Sequence, residues 1–226
     1  MGYFYINKKG PFIPVLAGML TYLMNYLIIF LISVFVFGFN FSELIDASLD
    51  NMVSMNEQFT NFIQVPLDEN QLSLYKEYME MVASLLPFFM IASSVIMAGL
   101  HHFVNRIVLH RMGYHEVEKL PPFRTWTFPK AVLFYYLISL FILLLGIIDR
   151  GSDYYSTFLN LHTILEMMIY IQGLAVIAYF SRAKKMGPML PIIAVVLTFF
   201  IPPVGMLIVR LVGILELGFQ IRNRIN

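Results

Sequence analysis

Five apolar runs decide what this chain can fold into. They lie at about residues 15–39, 81–100, 131–148, 158–180 and 189–219. A helix needs about 20 apolar residues to cross the hydrocarbon core of a bilayer, which is about 30 Å thick. The first four runs have that length. The fifth would be about 46 Å long as one helix. It contains "FFIPPVG", and Pro202 and Pro203 remove two backbone donors and obstruct a straight helix. The sequence therefore reads as an all-α, polytopic transmembrane helical bundle. It has five to six spans in one domain covering 1–226, with the last run broken at Pro202–Pro203. Charged residues are 13% of the chain, against roughly a quarter in soluble domains.

The loops suggest an orientation. Residues 40–80 hold eight acids and one base, Lys76. The segment between the second and third runs carries Arg106, Arg111, Lys119, Arg124 and Lys130 against Glu116 and Glu118. Arg182, Lys184 and Lys185 follow the fourth run. Basic loops stay in the cytoplasm. That places the N-terminus, with Lys8 and Lys9, inside, residues 40–80 outside and residues 101–130 inside. Arg222 and Arg224 also prefer the inside, which favours a turn at Pro202–Pro203 and two short crossings over one kinked, tilted helix. The expected location is a membrane crossed several times. Within residues 40–80, Ile45, Leu49, Met52, Phe59 and Phe62/Ile63 recur at helical spacing with acids such as Glu57, Asp68 and Glu69 elsewhere. That pattern predicts an amphipathic outer helical segment. It would rest on lipid or on the bundle, or act as a lid over an outward cavity.

Several functions fall away. The net charge of +1 supplies no field that would recruit nucleic acid. Cysteine is absent, which removes disulfides, thiolate nucleophiles and cysteine metal sites. There is no "HExxH", no "GxxxxGK[ST]", no "GxGxxG" and no "GxSxG". Neither an enzyme nor a resident metal or cofactor is expected. Ser94 and Ala98, four apart, read as close helix packing. Trp126 reads as an interfacial anchor.

The candidate site is in "LNLHTILEMMIYIQG", residues 159–173. His162 and Glu166 are four apart and share a helix face. A carboxylate in hydrocarbon costs several kcal/mol, so such residues face a bundle interior or a wet cavity. Asn160 and Gln172 add polar groups to the same span. Arg210, in "GMLIVRLVG", needs a partner if the last run is a hairpin. Glu166 and Glu216 are the available acids, and Glu166 fits better because Arg210 and Glu216 are six apart. The alternatives are a ligand or proton site and a hydrogen-bonded structural network. A second group, His102, Arg106 and His110, steps by four with Arg111 beside it. It reads as a cytoplasmic basic stripe against anionic lipid or as a docking surface for a partner.

Three stretches carry a resemblance. "RTWTFPKAVLFYYL" has Trp126 and Pro129 in a W-x-x-P arrangement before a span. "LNLHTILEMMIYIQGLAVIAYF" has Asn160, Gln172 and Gly173. "ILELGFQIRNRI" has Glu216, Phe219, Arg222 and Arg224. Together they resemble the YybS-like family of bacterial integral membrane proteins, a domain of unknown function, over essentially the whole chain. Members of that family usually begin with further N-terminal spans, so "MGYFYINKKGPF" resembles a point inside a longer protein. The resemblance also implies a likeness to the substrate-binding subunits of energy-coupling-factor vitamin transporters. Those bind substrate from outside and depend on a separate cytoplasmic ATPase and coupling module. Likeness of fold does not fix function. The alternative is a non-catalytic envelope scaffold that acts through protein partners.

Overall fold

Long apolar segments become helices, and a glycine or proline lies just beyond several of them, as at Gly38, Gly113, Gly146 and Pro202. The structure, a computed structural model, describes residues 10–63, 69–114, 119–149 and 152–224. Lys8, Lys9, Asp68, Glu116 and Glu118 lie outside the described residues, as do the side chains of Glu57, Phe59, Phe62, Ile63 and Glu69. The described residues are all-helical, with no strand. The helices are α1 (Phe12–Phe35), α2 (Phe41–Ile63), α3 (Glu69–Ser84), α4 (Leu86–Arg111), α5 (Ala131–Leu144), α6 (Asp153–Ala183), α7 (Met189–Phe200) and α8 (Pro202–Phe219). Short 3-10 turns occupy Phe123–Thr125 and Ile221–Arg224. Helices α1, α4, α6 and α8 are long and apolar enough to cross a membrane, while α5 and α7 are shorter apolar helices. The chain divides into two compact units, Met1–Glu118 and Lys119–Asn226.

In the first unit, α1 packs on α4. Pro14 and Gly18 of α1 and Ser94, Ala98 and His102 of α4 are buried. The 94–98–102 step of four makes one seam, and its small residues let backbones approach. The Tyr22 hydroxyl hydrogen-bonds His101 Nδ1 across the pair. Most of the outer face of α1 is apolar and uncovered, as at Leu16, Leu20 and Met24. Outside water, such a face belongs in lipid. Helix α1 stops before Gly38, whose φ is +64°.

The second apolar run departs from expectation. Met81–Ser84 belong to the polar helix α3, and the apolar helix α4 runs eleven residues beyond Leu100. Pro87 sits in the first turn of α4, where a missing N–H costs nothing. No breaker follows until Gly113, at φ +90°. The expected outer amphipathic segment is therefore two helices. Ile45 of α2 is buried and Leu49 and Met52 are partly buried, as their spacing required. Lys76 Nζ of α3 donates to Asp46 Oδ1 of α2 at 2.8 Å.

In the second unit, α6 packs on α5, α7 and α8. Val132, Leu133, Tyr136, Leu165, Ile169 and Leu217 form its core. Helix α5 ends four residues before the expected Ile148, because Gly146 turns the chain at φ +63°. Helix α6 extends beyond the expected 158–180 at both ends. The last run breaks at Ile201, at φ −132° and ψ 70°, with Pro202 opening α8. A Cβ on Gly205 would collide with the Thr198 backbone. Seven residues along a continuous helix are about 10 Å apart, so the chain turns sharply there.

Candidate functional site

Glycine sets how closely α6 and α8 approach. A Cβ on Gly173 would collide with the Val209 carbonyl, and one on Gly213 with the Ile169 carbonyl. The two backbones touch, and side chains on either side of the crossing meet. Glu166 of α6 accepts a hydrogen bond from Arg210 Nη1 of α8, closing an ion pair. The arginine side chain turns back along its own helix, with Nε 3.4 Å from the Met206 carbonyl. Farther along, the Arg222 guanidinium carbon lies 5.9 Å from the Tyr179 ring centroid. Helix α7 runs back along α6, with the Tyr170 hydroxyl hydrogen-bonded to Thr198, and α8 turns back on α7, with Gly205 against Thr198, so α6 and α8 run parallel. Helix α7, which joins them, must return between. Its 12 residues span about 18 Å, well short of a bilayer core.

His162, one turn before Glu166, is held by α5. Its ring stacks on Tyr136 with centroids 5.2 Å apart and 16° between planes. Its Nδ1 lies 3.0 Å from Ser139 Oγ. That hydroxyl also donates to the Tyr136 carbonyl at 2.9 Å. A serine has one hydroxyl hydrogen, so with it committed to Tyr136 the histidine Nδ1 is the donor to Ser139. Nε2 is then left as an acceptor. His162, Glu166 and Arg210 thus present a histidine acceptor, a carboxylate and a guanidinium on one stretch of α6 and α8. About a quarter of each ion-pair side chain is uncovered by protein, 24% for Arg210 and 27% for Glu166.

Asn160 and Gln172 do not join this group. At about 100° per residue, Asn160 points to the opposite side of α6 from His162, and Gln172 lies about a quarter turn aside. Asn160 Nδ2 donates back to the Ser156 carbonyl at 2.7 Å. Gln172 Oε1 accepts from the Phe128 backbone N–H at 2.8 Å, and Nε2 faces the Trp126 carbonyl at 3.4 Å.

Gln172 belongs to a second polar centre that spacing along the chain did not reveal. Glu216 Oε1 accepts from Arg222 Nε at 2.7 Å, and Oε2 accepts from the Arg222 backbone N–H at 3.1 Å. Arg222 also donates to the carbonyls of Arg124, at 2.9 Å, and Trp126, at 3.0 Å. Both side chains of this pair are 8% exposed. Its sequence signal is small: Gln220 takes a left-handed φ of 51°, closes α8 on the Glu216 carbonyl and folds Arg222 back.

The basic group on α4 lies in the other unit and is graded. His102 is buried, Arg106 is half-buried, and His110 and Arg111 are exposed. Among the described residues, no group of three or more His, Asp or Glu could hold a metal.

Comparison with known proteins places the whole chain. The family described as Predicted membrane protein (DUF2232) matches residues 1–217. A Bacillus subtilis (strain 168) protein named Uncharacterized protein YybS is 32% identical over 233 residues, covering 100% of this chain and 72% of that protein. No solved structure matches.

Proposed function

The chain belongs to the DUF2232 family of predicted membrane proteins, and on that premise we propose that it is a non-enzymatic, solute-binding subunit of a transport assembly. The observation that carries this reading is the Glu166–Arg210 pair. Two opposite charges stand between apolar helices, and neither is sealed by protein. A carboxylate or guanidinium in that position can exchange its partner for a charged group of a solute. His162 supplies a further hydrogen-bond acceptor one turn away. An ion pair that only held helices together would be closed, as Glu216–Arg222 is.

Energy would come from a partner, a cytoplasmic ATPase pair with a membrane coupling subunit, since the sequence carries no phosphate-binding loop. The setting would be the plasma membrane of a bacterium. Loop charge favours a cytoplasmic N-terminus and an outer segment at residues 40–80. The test is a gentle-detergent pull-down from native membranes, with mass spectrometry of both proteins and co-purified solutes. Stoichiometric recovery of an ATPase and coupling subunit supports the reading. So does a bound small molecule that is lost in Glu166→Gln while the partners remain. Recovery of cell-wall or division proteins with no solute would instead make the chain an envelope scaffold, and its polar centre helix glue.

A further inference from the structure

We propose that the C-terminal end of α4 binds a single anionic phospholipid, with Arg106 on the headgroup phosphate. The charge imbalance comes first. Helices α1 and α4 pack together, and neither contains an acid, while α4 ends with Arg106 and Arg111. Arg106 Nε is enclosed and has no hydrogen-bond partner among the described residues. A guanidinium held this way still requires an anion, because an unmatched charge beside hydrocarbon is costly. The residue as a whole is not fully buried, so a ligand can still approach it.

Depth and surroundings identify the anion. Leu86 opens α4, and Arg106 lies about 30 Å farther along the axis. That is the thickness of the hydrocarbon core, so a helix that starts at one boundary delivers Arg106 to the phosphate layer at the other. On the adjoining faces of the helix, Phe103 and Ile107 are apolar and uncovered, at 59% and 39% exposure. They suit acyl chains, which a free phosphate ion lacks. His102, one turn earlier, is buried. Arg111, five residues later and on another face, is exposed and contributes only diffuse charge. Basic pockets beside transmembrane helices take lipid phosphates in this way.

The test uses the full chain in phosphatidylcholine nanodiscs, with and without phosphatidylglycerol. Wild type should gain about 2–4 °C in thermal midpoint from phosphatidylglycerol, and Arg111→Gln should keep that gain. Arg106→Gln should lose it. Native mass spectrometry should find a phosphatidylglycerol retained on wild type and absent from Arg106→Gln, a readout that does not depend on stability. Equal gains in wild type and Arg106→Gln would overturn the site. So would loss of the gain in both arginine variants, which would mean a diffuse surface effect. Equal stabilisation by inorganic phosphate in phosphatidylcholine alone would overturn the lipid as its occupant.

Discussion

Two ion pairs join the same part of the chain and are built in opposite ways. Glu216–Arg222 is sealed, and nearly every polar atom has a defined partner: both carboxylate oxygens accept, and the guanidinium reaches two backbone carbonyls. Glu166–Arg210 is left about a quarter open and is reinforced only by a long contact to Met206. A sealed, saturated pair is expensive to break and offers nothing to a solute. An open pair costs less to break and can change partners. The contrast is what the proposed binding role of the second pair rests on. It also explains the Trp126 segment, which Arg222 and Gln172 both hold by its backbone, as a clamp on the approach to α5.

Removing one partner of the sealed pair should have the largest effect. Arg222→Leu leaves Glu216 as a buried unpaired carboxylate and should cost about 3–5 kcal/mol, read as a lower unfolding midpoint in detergent. Protease should then cut near Trp126 sooner. A cost as small as that of Glu166→Gln would erase the distinction between the pairs. Gly213→Ala comes next. Its methyl group meets the Ile169 carbonyl, and overpacking of this kind costs about 1–3 kcal/mol. Separating α6 from α8 should also weaken cross-linking between cysteines placed at 166 and 210.

Glu166→Gln should cost less, about 0.6 kcal/mol and no more than about 1.7, the range for hydrogen bonds between membrane helices. The same variant should lose solute binding. A large stability loss with no change in binding would make the open pair structural after all. The smallest effect lies at the Lys76–Asp46 tie between α2 and α3. The Asp46 hydrogen bond and charge raise the Lys76 pKa above its ordinary 10.5. With the folded value higher than the unfolded one, the contribution is complete below 10.5 and disappears as pH rises through the raised value. Hydrogen exchange in α2 should therefore stay constant with pH, after correction for the intrinsic rate, until strongly alkaline conditions. Salt should weaken the same tie.

How much of this was legible depended on range. The existence of the apolar helices, the amphipathic face at Ile45 and Leu49, and the break before Pro202 follow from local chemistry, while several helix ends fall elsewhere than expected. The shared face of His162 and Glu166 follows from four-residue spacing. The boundary at Ser84 was misplaced, because Met81–Ser84 are apolar enough to merge with the next run and only the proline in the first turn of α4 separates them. Asn160 was grouped with His162 by proximity in sequence, although helical rotation carries it to another face. Arg222 read as one more charge in a basic tail. Six residues from Glu216, it could not share a face on a continuous helix, and only the left-handed turn at Gln220 brings the two together.

Sequence by itself determined the class of protein: an all-helical membrane chain with a carboxylate and a histidine on one face of a span and an arginine in another. It did so because apolar length and helical period are properties of neighbours. Tertiary structure alone decided which acid met which base, and which pair was closed. Those choices depend on α6 and α8 touching at Gly173 and Gly213 and on α7 turning back between them. Contacts across some forty residues are set by packing that no local period records.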